Sequence, residues 1–69
     1  MRVTYDRASN AVYIYLKERS QECKVAKTYL CDPIEVNGQI NLDFDGNNVL
    51  IGIEVLDADK MLPEELLDI

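Results

Sequence analysis

The stretch NLDFDGNNVLIGIEVLDADK, residues 41–60, decides the fold, because two apolar rows with a period of two flank a turn. The apolar positions of the two rows are Ile40, Leu42, Phe44, Ile51, Ile53 and Val55. Between the rows, Gly46 and the two asparagines that follow it tolerate the positive φ angles of tight hairpin turns. The stretch therefore predicts a β-hairpin with one apolar face.

The same stretch also spaces carboxylates and amides as a calcium-binding loop does. An EF-hand loop has glycine at its sixth position and a bidentate glutamate at its twelfth. If Asp43 is the first position, Glu54 is the twelfth, but the sixth is Asn48 and the ninth is Ile51. Because the glycine and the ninth ligand are missing, we favour the hairpin and predict no metal-binding residue.

The N-terminal part of the chain repeats the hairpin pattern. Residues 1–5 alternate between apolar and polar positions, and residues 11–17 form a β-branched and aromatic alternation. The intervening residues 6–10 are turn formers, and Asp6 can accept hydrogen bonds from the turn backbone. We therefore predict a hairpin over residues 1–17.

The middle of the chain is predicted to contain a polar loop at residues 18–22, a strand at 23–30 and an irregular stretch at 32–38. The strand is placed at an edge of the sheet, because its two lysines resemble the charges that protect exposed edges. In the irregular stretch a proline would deny a ladder its donor, and we expect Ile34 and Val36 to pack inward.

The C-terminal segment changes to a helical period. Asp57 is placed to cap a turn, and Pro63 followed by two glutamates is typical of the first turn of a short helix. An apolar stripe consists of Leu62, Leu66 and Ile69. We expect the stripe to fold back onto the sheet, and insertion into a groove of a neighbouring molecule is the alternative.

The predicted fold class is thus α+β and mainly β. Residues 1–69 form one small domain, in which hairpins build an antiparallel sheet of four to five strands with a short C-terminal helix. A chain of 69 residues buries only about 60% of its unfolded surface, so it often needs a disulfide, a metal or a partner subunit. With no histidine and two cysteines the chain lacks four zinc ligands, which leaves oligomerisation, simplest as a homodimer.

The cysteines and the N-terminus indicate the compartment. Cys23 and Cys31 would lie about 26 Å apart on one extended strand, beyond disulfide reach, so we predict free thiols in a reducing compartment. There is no apolar signal segment at the N-terminus, and no apolar run approaches the roughly 18 residues of a membrane span. We expect a soluble, cytoplasmic protein.

Charge is distributed unevenly along the chain. Residues 1–31 carry six basic and three acidic side chains, whereas residues 32–69 carry ten carboxylates and a single lysine. The basic residues are too scattered to form a patch for duplex nucleic acid, so direct binding of nucleic acid is not expected. The acidic half suits a solvated surface, or docking on a small basic partner protein.

Two carboxylate pairs are candidates for acid–base catalysis, Asp6 with Glu54 and Asp43 with Asp45. The second pair would lie about 7 Å apart on one strand face, a separation that occurs in carboxylate-pair hydrolases. A hydrolase also needs a partly dry cleft, which so small a chain rarely builds, and the thiols have no histidine as a base. We therefore predict no enzyme, no catalytic residue and no cofactor.

Two segments carry a resemblance to a known family. VTYDRASNAVYIYL (3–16) is similar to a V-T-Y-D strand, short turn and A-x-Y-I-x-L strand, and INLDFDGNNVLIGIEVLDADKML (40–62) resembles a closing D-x-D…G-I-E-I-L-x-A-S-K pattern. Together they resemble the YuzE-like family of small bacterial domains of unknown function, domain of unknown function 2283. The segment 19–38 departs from it, being longer than the short acidic link typical of the family.

The resemblance implies a small β-rich domain without an assigned activity, and an antitoxin-like role beside a small basic protein. Together with the composition, it predicts a protein-interaction module that self-associates as a β domain. The alternatives are a nucleic-acid-associated regulator that acts with a partner, and a small hydrolase that uses surface carboxylates.

Overall fold

The computed structural model describes residues 1–17 and 24–68 and contains one antiparallel sheet of five strands. The strands are β1 (Arg2–Asp6), β2 (Ala11–Tyr15), β3 (Lys27–Leu30), β4 (Ile40–Phe44) and β5 (Leu50–Leu56). Their order across the sheet is β1-β2-β5-β4-β3. The helical elements are α1 (Pro33–Val36), α2 (Ala58–Met61) and a 3₁₀ helix (Glu64–Leu66). The predicted fold class is confirmed.

Both predicted hairpins are present. In the first, Val3 lies opposite Ile14 and Tyr5 opposite Val12, so the apolar rows of β1 and β2 share one face. In the second, β4 pairs with β5 through a ladder that contains an irregularity between Asp43 and Phe44. The hairpins meet where β2 pairs with β5, so β5 has a hydrogen-bonded neighbour on each side.

The turn between β4 and β5 is held by one carboxylate. Asp45 Oδ1 accepts hydrogen bonds from the backbone amides of Asn47 at 2.8 Å and Val49 at 3.0 Å. The bond from Val49, followed by that from Asn47, lowers the pKa of the Asp45 carboxyl below its ordinary 3.8. The positive φ of the turn falls on Asn48, at 63°, whereas Gly46 has a negative φ. Asp45 thus belongs to the turn and not to the strand face on which it was predicted.

The core lies at the α2 end of the apolar face. Within the described ranges, the buried apolar side chains are Val12, Ile51, Val55 and Ala58. Helix α2 is fastened to the first hairpin by Asn10, whose carbonyl accepts from the Ala58 amide and whose side-chain amide donates to Asp59. Asn10 adopts the left-handed conformation, with φ of 55°, which asparagine tolerates better than most residues.

The stretch at residues 32–38 is not irregular as predicted but contains α1. Asp32 caps this helix by accepting from the Ile34 amide, and Asn37 ends it in the left-handed conformation. The expectation that Ile34 packs inward is wrong, because its side chain is 87% exposed, whereas Val36 is half-buried. A four-residue helix presents no periodicity from which it could be predicted.

The C-terminal segment folds in two short pieces. Asp57 precedes α2 in the left-handed conformation, and its side chain makes no capping hydrogen bond, contrary to the prediction. The predicted turn after Pro63 is confirmed as the 3₁₀ helix. In the predicted apolar stripe Leu62 is half-buried and Leu66 is exposed, while Ile69 lies outside the described residues. The predicted loop 18–22 and Cys23 also lie outside them.

We predict that Gly52→Ala destabilises the fold by about 1–3 kcal/mol, the usual cost of forcing atoms into a packed site. A Cβ at Gly52 would lie 1.9 Å from Tyr13 Oη and 2.5 Å from Tyr13 Cζ, so the ring would have to move. Urea denaturation followed by circular dichroism measures this change.

Gly46→Ala is the matched control, because nothing lies within 4 Å of a Cβ there and its φ is not positive. Equal unfolding free energies for the two variants would contradict the packing role of Gly52.

Candidate functional site

The polar face of the sheet carries a cluster made of Tyr13, Asp43 and Thr28, called here the tyrosine–aspartate cluster. Tyr13 Oη donates to Asp43 Oδ2 at 2.5 Å, and Thr28 Oγ1 donates to Asp43 Oδ1 at 2.7 Å. The Tyr13 ring reaches Asp43 by crossing Gly52, which lies directly opposite Asp43 in the ladder. A glycine in a strand interior often marks such a close approach, and that signal was present in the sequence.

The neighbouring polar side chains are also paired with one another. Tyr15 packs edge-on against Tyr13, with ring centroids 4.6 Å apart, and the Arg2 guanidinium lies 4.1 Å from the Tyr15 centroid. Across the sheet Glu54 accepts a hydrogen bond from Asn41 at 2.9 Å, where a lysine or arginine partner was predicted. The polar face is therefore ordered by its own contacts.

Tyr13 acts in this cluster as a hydrogen-bond donor. Burial, then the hydrogen bond to Asp43 and the charge of that carboxylate, raise the pKa of the Tyr13 phenol above its ordinary 10.0. The phenol stays protonated at neutral pH, so it cannot serve as a general base there. Its role is to satisfy Asp43.

The carboxylates that were candidates for catalysis are engaged separately. Asp6 accepts from the Ala8 amide and so closes the first turn, as predicted. Asp43 belongs to the tyrosine–aspartate cluster and Asp45 to the β4–β5 turn, so this pair does not face a common point. Glu54 is held by Asn41. Over residues 1–17 and 24–68, no group of three or more metal-ligating side chains could hold a metal ion.

One open pocket lies beside the C-terminal segment. It has a volume of about 490 Å³ and is lined by Tyr5, Arg7, Glu64, Glu65, Leu67 and Asp68. Arg7 donates to the Leu67 carbonyl at 3.5 Å and lies over the Tyr5 ring, which ties the C-terminal segment to the first hairpin. The pocket thus combines one arginine with three carboxylates at the surface.

The most apolar exposed surface is the edge formed by β3 and α1. We call it the interaction edge and define it by Val25, Tyr29, Leu30 and Ile34. Their side chains are 49%, 58%, 49% and 87% exposed, and all four residues of β3 are exposed. The prediction that this strand lies at a sheet edge is confirmed.

Lys27 does not protect this edge in the way the sequence suggested. Its Nζ donates to Asn48 Oδ1 at 2.8 Å and lies 4.6 Å from the Phe44 ring centroid. The ammonium group is therefore drawn toward the β4–β5 hairpin and away from the open side of β3. Cys31, which follows the strand, is a half-buried free thiol.

Comparison with known proteins gives one match. A family model described as "Protein of unknown function (DUF2283)" matches residues 2–58 of the 69. Neither the curated proteins nor the solved structures contain a match. In the described part of the chain no helix has the length and apolar character needed to cross a membrane.

We expect an absorbance titration of the phenols to show one tyrosine that ionises later than the others, and Tyr13→Phe to remove it. The stabilisation from this tyrosine is complete below pH 10, because its folded pKa lies above the unfolded value, and it is lost as pH rises further. Tyr29→Phe is the control, since Tyr29 is exposed. A late phenol that persists in Tyr13→Phe would contradict the assignment.

Proposed function

The chain belongs to the DUF2283 family, and on that premise we propose that it is a protein-interaction module that self-associates through the interaction edge. The observation that carries this proposal is the row of exposed apolar side chains along an unpaired strand. Unpaired edges with apolar side chains recruit further strands unless charges or bulges protect them, and Lys27, the charge within β3, is bound elsewhere.

The size of the buried core supports association. The accessible surface of the chain is 4968 Å², whereas the surface expected for a folded monomer of 7.9 kDa is about 4,400 Å². The excess of roughly 550 Å² is of the same order as the roughly 800 Å² that each partner buries in a standard interface. A second subunit would cover surface that the chain leaves open.

The opposite edge of the sheet is a poorer candidate. Three of the five residues of β1 are half-buried, and charged side chains, Arg2 and Asp6, stand at its two ends. The C-terminal segment also reaches this side through the contact of Arg7 with Leu67. The interaction edge has neither kind of protection along β3.

We predict that the protein sediments as a dimer and that Leu30→Lys raises the dimer dissociation constant at least about tenfold, because burial of one leucine contributes about 1.5–3 kcal/mol. Val49→Lys is the matched control. Val49 is 50% exposed against 49% for Leu30, but it lies in the β4–β5 turn.

Analytical ultracentrifugation over a range of concentrations separates the cases. Equal weakening by both substitutions, or a monomeric wild-type protein at every concentration, would overturn the proposal.

Docking on a small basic protein is the second candidate, and the carboxylates beside the C-terminal pocket favour it. It predicts that a lysine-rich peptide binds, that binding weakens as salt rises, and that Glu64→Gln with Glu65→Gln reduces it. Asp32→Asn with Glu35→Gln, at the other end of the sheet, is the control pair. Isothermal titration that detects no binding at low salt would exclude this candidate.

A further inference from the structure

We propose that two copies of the chain pair their β3 strands antiparallel, with a twofold axis at Thr28, and so form one continuous sheet of ten strands. This inference rests on the proposed function and specifies its geometry. The partner is a second copy of the chain, because the edge is complementary to itself in backbone, side chains and charge when it is rotated about that axis.

The backbone of β3 offers hydrogen-bonding groups on its open side. The Cys31 amide donates to the Ile40 carbonyl, toward β4. Because successive residues of an antiparallel strand alternate in direction, the amides and carbonyls of Thr28 and Leu30 point away from β4. An added strand must therefore place its own hydrogen-bonding residues opposite these two, and this condition limits the registers to alternate positions.

An axis at Thr28 matches the side chains of the two copies. Leu30 then lies opposite Ala26 of the second copy, and Tyr29 lies opposite Lys27, a cation–aromatic pair. Continuing outward, Val25 lies opposite Cys31, and Lys24 lies opposite Asp32, an apolar pair and a pair of opposite charges. Each of these contacts occurs twice by symmetry.

Axes at the residues on either side of Thr28 are worse. An axis at Tyr29 leaves Lys27 opposite Cys31 and places Ala26 opposite the Asp32 carboxylate. An axis at Lys27 sets two like charges directly opposite each other, which is destabilising. The register at Thr28 is the one in which three exposed residues of the edge, Val25, Tyr29 and Leu30, all gain a suitable partner.

Disulfide cross-linking tests the register. In a background with Cys23→Ser and Cys31→Ser, an axis at Thr28 brings two copies of Thr28→Cys to a Cα separation of about 5.5 Å, within disulfide range. Two copies of Tyr29→Cys would then sit diagonally, about 7–8 Å apart, beyond that range. We expect Thr28→Cys to run as a covalent dimer on a non-reducing gel and Tyr29→Cys to run as a monomer.

A second measurement covers the loss of the Thr28 hydrogen bond to Asp43. In the same background, a mixture of Lys27→Cys and Tyr29→Cys proteins should form a mixed disulfide, because these positions are opposite each other across the axis. Circular dichroism checks that each variant is folded.

The outcomes separate the register from the self-association itself. Cross-linking of Tyr29→Cys alone would overturn the Thr28 register in favour of the neighbouring one. If the wild-type protein sediments as a dimer and neither experiment gives a disulfide, the β3 pairing is wrong and self-association through another contact stands. If the wild-type protein is a monomer, both proposals fail.

Discussion

A line of contacts across the polar face joins four of the five strands. Tyr13 in β2 passes over Gly52 in β5 to reach Asp43 in β4, and Asp43 also accepts from Thr28 in β3. In the described sheet the two hairpins meet only where β2 pairs with β5. The absence of a side chain at Gly52 lets the contact span that seam, so the hairpins are joined by side chains as well as by the backbone ladder.

The local elements could be predicted from the sequence, and the contacts between distant residues could not. The period of two located both hairpins, and the lysines correctly placed β3 at an edge. The bond from Tyr13 to Asp43 joins residues 30 positions apart, and no spacing along the chain indicates it. The glycine inside β5 was a usable signal for a close approach, although it does not name the side chain that approaches.

The two helices before β4 and after β5 show a different limit. Each has four residues, too few for a helical period, so caps alone could announce them. For α1 the cap by Asp32 was readable but was attributed to an irregular stretch, and for α2 Asp57 precedes the helix without a side-chain hydrogen bond. The direction of Lys27 was equally hidden, because it depends on Asn48 and Phe44, which lie beyond the strand.

Acidic residues in this chain are largely structural where the fold describes their partners. Asp6, Asp32 and Asp45 accept hydrogen bonds from turn or helix backbone, while Asp43 and Glu54 accept from side chains across the sheet. Carboxylates with such partners are held in their charged form and are poorly suited to carry a proton. The negative charge left for recognition is concentrated near the C-terminal pocket.

The strand order has a consequence for how the chain folds. The β1–β2 and β4–β5 hairpins form from neighbouring residues, but their junction pairs Tyr15 with Gly52 and Ala11 with Leu56, at separations of 37 and 45 positions. Pairings between distant residues form slowly, because the entropy of loop closure opposes them until contacts accumulate. Assembly of the hairpins along β5 should therefore set the folding rate. A dimer that forms through β3, on the far side of β4, would add its strand pairing after that step.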